Sequence, residues 1–167
     1  TGETVPRGDV GMIEVRGPNV FQGYWQMPDK TAEELRPDGF FITGDLGRQG
    51  EDGYVTIVGR GKDLIISGGF NVYPKDVEIV LDDQPGVLES AVIGAPHPDF
   101  GESVVAVLVP VAGAKLDIAT IEAEIGGKLA RFKQPRHYVI LDELPRNAMG
   151  KVQKKLLRKT YVDSFAK

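Results

Sequence analysis

The sequence changes texture once, at Gly59-Arg60-Gly61-Lys62-Asp63, and that change limits what the chain can fold into. Ahead of it stand short apolar runs broken by turn signals. Val10, Met12, Ile13 and Val15 read as a strand ended by Gly17-Pro18. Pro28 to Leu35 reads as a short helix, with proline near its start and acids in its first turns. Asp38-Gly39 and Asp52-Gly53 mark turns before Phe40-Phe41-Ile42 and before Tyr54 to Val58. Residues 1–58 are therefore mostly strand and turn, and by themselves would bury a poor core.

Beyond the joint, strand and helix patterns alternate. Residues 64–66 and 71–73 read as partner strands about a turn at Ser67-Gly68-Gly69. Pro74 opens a helix whose apolar positions Val77, Val80 and Leu81 recur on one face. Residues 90–95 and 103–109 read as buried strands, and 137–141 as a third. Asp117 caps a helix with Ile118, Ile121, Ile125 and Leu129 facing one way. Lys154 to about Phe165 reads as a basic amphipathic helix. This alternation predicts an α+β or α/β layer, helices against a sheet, with the boundary within about two residues of Lys62.

Composition narrows the classes. The 167 residues are 41% hydrophobic and 26% charged, a globular and not a disordered balance. No apolar run approaches the ~20 residues of a membrane span, and the N-terminus has no signal-peptide pattern. The absence of cysteine excludes disulfides, thiolate metal sites and a cysteine nucleophile, and fits a cytoplasmic setting. Thr1 is no natural start, so the chain is expected to be a fragment of something longer. Charge is uneven: residues 128–167 carry 11 Lys and Arg against 3 Asp and Glu, and the first 127 carry 9 against 21. A basic tail on an acidic body suits a phosphate, a nucleotide or nucleic acid, or is simply a solvated helix face.

Few residues stand out for chemistry. Pro145-Arg146-Asn147-Ala148-Met149-Gly150-Lys151 is not a phosphate-cradling loop, because Pro145 replaces the first glycine and Val152 the final Ser or Thr. What remains is a lysine after a glycine that can take positive φ, so an ammonium is either presented at a loop tip or merely solvated. Asp45, in Thr43-Gly44-Asp45 between an apolar strand and a Gly-rich turn, could accept hydrogen bonds from a ribose diol or cap its own loop. Arg60, Lys62 and Asp63 form either a hinge or an ordinary polar turn. Ser67-Gly68-Gly69 is a hairpin turn or a thin wall for a ligand. His97 and His137 lack the further ligands a zinc site needs, and no Gly-x-Ser-x-Gly elbow supports a serine triad.

Taken together and in order, Gly39-Phe40-Phe41-Ile42-Thr43-Gly44-Asp45, Gly53-Tyr54-Val55, Gly59-Arg60 with Lys62-Asp63, Ile65-Ile66-Ser67-Gly68-Gly69, Asn71, Tyr73-Pro74 and Pro145-Arg146-Asn147 with Gly150-Lys151 resemble the adenylate-forming acyl-CoA synthetase family. Through residues 94–102 and 149–154 the chain is most similar to its malonyl-CoA synthetases. The resemblance implies an α+β fold: residues 1–60 as the β-rich end of a large nucleotide-binding domain, 61–62 as a hinge, and 63–167 as a small mobile lid with a central sheet flanked by helices. It implies ATP with Mg2+, the metal held in the missing N-terminal domain, and CoA as co-substrate. A small carboxylic acid would be adenylated and passed to the CoA thiol. It gives Lys151 the catalytic bridge between carboxylate and α-phosphate, Asp45 and Arg60 the ribose, and Lys62 the pivot. Gly68, Gly69, Phe100, Phe132 and Arg136 would contact CoA, and Gln134 stands where some relatives place a basic residue. A protein lysine acetyltransferase acting on Lys151 is a further expected partner; nucleic acid and membrane are not. The fragment alone is expected to be inactive. An adenylation enzyme that loads a carrier-protein thiol or another acid, and a non-catalytic basic nucleic-acid-binding module, are the rival readings.

Overall fold

The computed structural model describes residues 2–166, and the chain divides into two compact units that part between Lys62 and Asp63. In the first, strand β1 (Val10–Val15) is followed by helix α1 (Pro28–Glu34), with proline in its first turn as the sequence implies. Strands β2 (Phe41–Gln49) and β3 (Val55–Arg60) complete an antiparallel sheet of order β1-β2-β3. Asp52 makes the β2–β3 turn by accepting from the Tyr54 N–H at 3.1 Å. Strand β2 runs further than its sequence suggests. Gly44 to Gly47 continues the strand, with a register shift between Leu46 and Gly47 absorbing the irregularity. Asp45 therefore sits within a strand and not at its end.

The second unit opens with a 3-10 turn, of which Gly61 and Lys62 still belong to the first unit, and continues into the hairpin of β4 (Ile65–Ser67) and β5 (Phe70–Val72). Gly68 and Gly69, both at positive φ (57° and 83°), are its two-residue loop. That conformation matches the twist of the flanking strands and strains any residue with a Cβ. Helix α2 (Pro74–Asp82), strands β6 (Val87–His97) and β7 (Gly101–Pro110), helix α3 (Ile118–Gly126), strand β8 (His137–Ile140) and helix α4 (Lys154–Thr160) follow. The sheet runs β5-β4-β7-β6, with β8 pairing parallel to β7.

Strand β7 decides the layering. Val104, Ala106 and Leu108 face one core with Val77 and Leu81 of α2 and Ile121 and Ile125 of α3. Val105, Val107 and Val109 face a second core with Ala91, Ile93, Leu144 and Leu157 of α4. Both faces of the sheet are thus covered, and the small domain is α+β as the alternation implies. Each fully buried Val or Leu contributes about 1.5–3 kcal/mol of transfer free energy. Helix α3 ends before Leu129, which still reaches the first core. Helix α4 stops at Thr160, five residues short of the expected Phe165. There the Ser164 N–H and hydroxyl both donate to the Tyr161 carbonyl. The resulting turn lets Tyr161 and Phe165 both pack against the second core. Among the described residues no helix is long and apolar enough to cross a membrane.

Candidate active site

Four features hold the residues singled out by sequence. The first lies in the β2–β3 ladder, where Asp45 and Arg60 are register partners. Arg60 Nε is 3.0 Å from Asp45 Oδ1, and its Nη1 donates to the Thr43 carbonyl at 3.1 Å. The Thr43 hydroxyl accepts from the Asp45 N–H and donates to the Ile13 carbonyl. The carboxylate is held across the ladder by Arg60, an arrangement neither the ribose nor the loop-capping reading describes. Both side chains stay partly open to solvent (29% for Asp45, 48% for Arg60), so the pair is a surface feature able to meet a ligand.

The second is the turn Gly61–Asp63. Lys62 is exposed, whereas Asp63 turns inward and accepts from Arg158 of α4 at 2.8 Å. The first residue of the second unit is thereby tied to that unit's last helix.

The third gathers Gly68, Phe100 and Arg136. The Gly68 N–H donates to the Phe100 carbonyl at 2.9 Å, and a Cβ on Gly68 would meet the Phe100 ring at 3.4 Å. The Arg136 guanidinium lies 4.4 Å from the centre of the same ring, a cation–π contact. A Cβ on Gly69 would meet nothing within 4 Å, so the space over it is open. Phe132 stacks on Phe70, which directly follows Gly69, with ring centres 4.7 Å apart. The structure adds residues that sequence reasoning missed: Phe70, His97 (4.7 Å from Phe100) and Phe165 (5.1 Å from His97). Pro96, His97, Pro98, Gly101, Val162 and Phe165 border a groove of about 430 Å3. The only sequence signal was Phe70 after a Gly-Gly turn; the other contacts join segments far apart in the chain.

The fourth is the loop from Pro145 to Val152, closed by a bridge between Arg146 and Val152. Gly150, at φ 78°, makes the turn that releases Lys151, and the Lys151 side chain is exposed. The basic tail is otherwise well used. Lys133 pairs with Asp76 (2.7 Å), Arg158 with Asp63 (2.8 Å), Arg146 with Glu89, and Lys154 with Glu78. The charge asymmetry thus resolves in part into ion pairs within the second unit. Among the described residues no group of three or more His, Asp or Glu side chains could hold a metal ion.

Residues 76–151, within the second unit, match the family described as AMP-binding enzyme C-terminal domain. ATP-bound MatB from Rhodopseudomonas palustris superimposes with a TM-score of 0.93 at 61% identity, covering 99% of this chain and 33% of that one. An indoleacetate–CoA ligase from Aromatoleum aromaticum is 44% identical over 97% of this chain and 32% of its own length. A feruloyl-CoA synthase from an Amycolatopsis species is 45% identical over 96% of this chain and 33% of its own. The chain spans about a third of the length of the curated relatives it matches.

Proposed function

We propose that this chain is the C-terminal part of an ATP-dependent carboxylate–CoA ligase. In the first half-reaction a carboxylate oxygen attacks the α-phosphorus of ATP, the bond to pyrophosphate breaks, and an acyl-adenylate forms. In the second, the CoA thiolate sulfur attacks the acyl carbonyl and AMP leaves. The observation that carries this reading is Lys151, exposed after Gly150 on a loop whose backbone is tied down. Two anions must approach in the first step, and a compact cation between them answers that repulsion by electrostatic stabilisation and positioning. Asp45, aligned by Arg60, would accept from the ribose hydroxyls. Gly68 and Gly69 would wall the pantetheine arm, and Phe100, Phe132 and Arg136 would meet the CoA nucleotide.

Residues 1–60 would be the end of a large N-terminal domain, 61–62 the hinge, and 63–167 a lid that turns about Lys62 between the half-reactions. Magnesium would be held by that larger domain. Malonate is the proposed acid, supported by the resemblance over residues 94–102 and 149–154 and by the 61% identity to MatB. Acetylation of the exposed Lys151 would remove its charge, making an acetyltransferase a proposed regulator.

Lys151→Ala in the full-length protein tests the reading. Pyrophosphate release with acid and ATP should fall by about three orders of magnitude, as when a transition-state charge is removed. Thioester formation from supplied acyl-adenylate should stay near the parent rate; equal loss in both half-reactions refutes the role.

A further inference from the structure

The Lys151 loop is built more firmly than a solvated turn requires. Asn147 Oδ1 accepts from the N–H groups of Met149 (3.0 Å) and Lys151 (2.9 Å), and the Asn147 N–H donates to the Lys151 carbonyl (3.0 Å). Gln153 Nε2 donates to the Arg146 carbonyl at 3.0 Å. Those bonds hold the loop to itself. One side chain holds it to the sheet. Arg146 donates through Nη1 to the Gly150 carbonyl at 2.7 Å, and through Nη2 to the carboxylate of Glu89.

Glu89, itself partly exposed, stands near the start of β6 just after a register shift, and pairs with Val109 of β7, which is buried. The connection therefore runs from the sheet, through one guanidinium, to the peptide group that leads directly into Lys151. The planar fork of arginine suits this task, because its donors diverge at fixed angles and can satisfy two acceptors at once. The pair is partly exposed (43% for Arg146, 30% for Glu89), and exposed ion pairs add little to folding stability. Its effect is expected in geometry.

We propose that Glu89, acting through Arg146, is a positioning residue that sets the aim of the Lys151 ammonium. This rests on the adenylation role proposed for Lys151. A displacement of about 1 Å at a reacting group can cost roughly a hundredfold in rate, so a brace on the preceding carbonyl is kinetically significant.

The test uses the full-length protein carrying Glu89→Ala, Glu89→Gln, Arg146→Ala and the Glu89→Ala/Arg146→Ala double substitution, with Lys151→Ala in parallel. Adenylation is followed by pyrophosphate release, and thioester formation is started from supplied acyl-adenylate. Glu89→Ala and Arg146→Ala should each lower the adenylation kcat roughly ten- to a hundredfold, leaving KM for ATP and acid unchanged. The double variant should lose no more than Arg146→Ala alone, as residues acting through one another do. Glu89→Gln, which keeps an oxygen acceptor, should retain most of the rate. The thioester half-reaction should be unchanged throughout and also reports correct folding. Additive losses, equal losses in both half-reactions, or a wild-type adenylation rate in Glu89→Ala overturn the brace. If Lys151→Ala keeps its adenylation rate, the role of Lys151 fails and the brace falls with it; if only Lys151→Ala loses it, the brace alone fails.

Discussion

Lys151 and Lys154 are three residues apart and meet opposite fates. The first is exposed; the second reaches inward to Glu78, a carboxylate of α2 only 7% exposed that also accepts from the Val92 N–H at 2.9 Å. Removing one member of such a pair leaves an uncompensated buried charge. Lys154→Met should cost about 3 kcal/mol of stability in urea unfolding, and adding Glu78→Met should recover part of that loss. A single variant with parent stability would show that the pair is not electrostatically coupled. In the sequence both lysines belong to one basic tail, and nothing in Lys151-Val152-Gln153-Lys154 separates them. Gly150 and Pro145 mark the loop that carries Lys151. The carboxylates that claim Lys154, Arg146 and Arg158 lie 57 to 95 residues away and become neighbours only through the sheet and its helices.

Among the elements, helix α3 shows local chemistry at its most legible. Asp117 is its N-cap, accepting from the Ala119 N–H at 3.1 Å and the Thr120 hydroxyl at 2.7 Å. The Thr120 hydroxyl first, then the backbone N–H groups, hold its carboxyl below the ordinary 3.8. A lowered folded-state value means stability that is present above pH 3.8 and lost as pH falls through that folded value. Asp117→Ala should lower the melting temperature at neutral pH, and the gap from the parent should close on acidification; a gap that does not change with pH would show that the charge of the cap contributes nothing. Strand β2 shows where local reading stops. Gly44 and Gly47 signal a turn by type, yet Asp45 and Arg48 are held in the ladder by Arg60 and Thr56. In α4, the apolar spacing through Phe165 is real, but a turn after Tyr161, and not further helix, brings Phe165 to the core.

Over the whole molecule, burial is lopsided. Among the described residues, every buried core residue lies between Ile65 and Leu157, while the first unit is buried only at Gly47 and exposes Trp25 (87%), Tyr54 (78%) and Ile57 (62%). The sequence already marks residues 1–58 as a poor core, since their apolar runs are short and interrupted. Residues 63–167 expressed alone should therefore unfold in one cooperative thermal transition, and residues 1–62 alone should show none by circular dichroism. A cooperative transition in the shorter piece would mean that its half-buried sheet suffices. Strand β7, held between two helical layers by six successive buried residues from Val104 to Val109, has a mechanical corollary. A plate so stapled has no compliant layer in which torque could be dissipated as bending. If the proposed pivot at Gly61 and Lys62 turns, the sheet and the loop braced to it by Arg146 would be carried together.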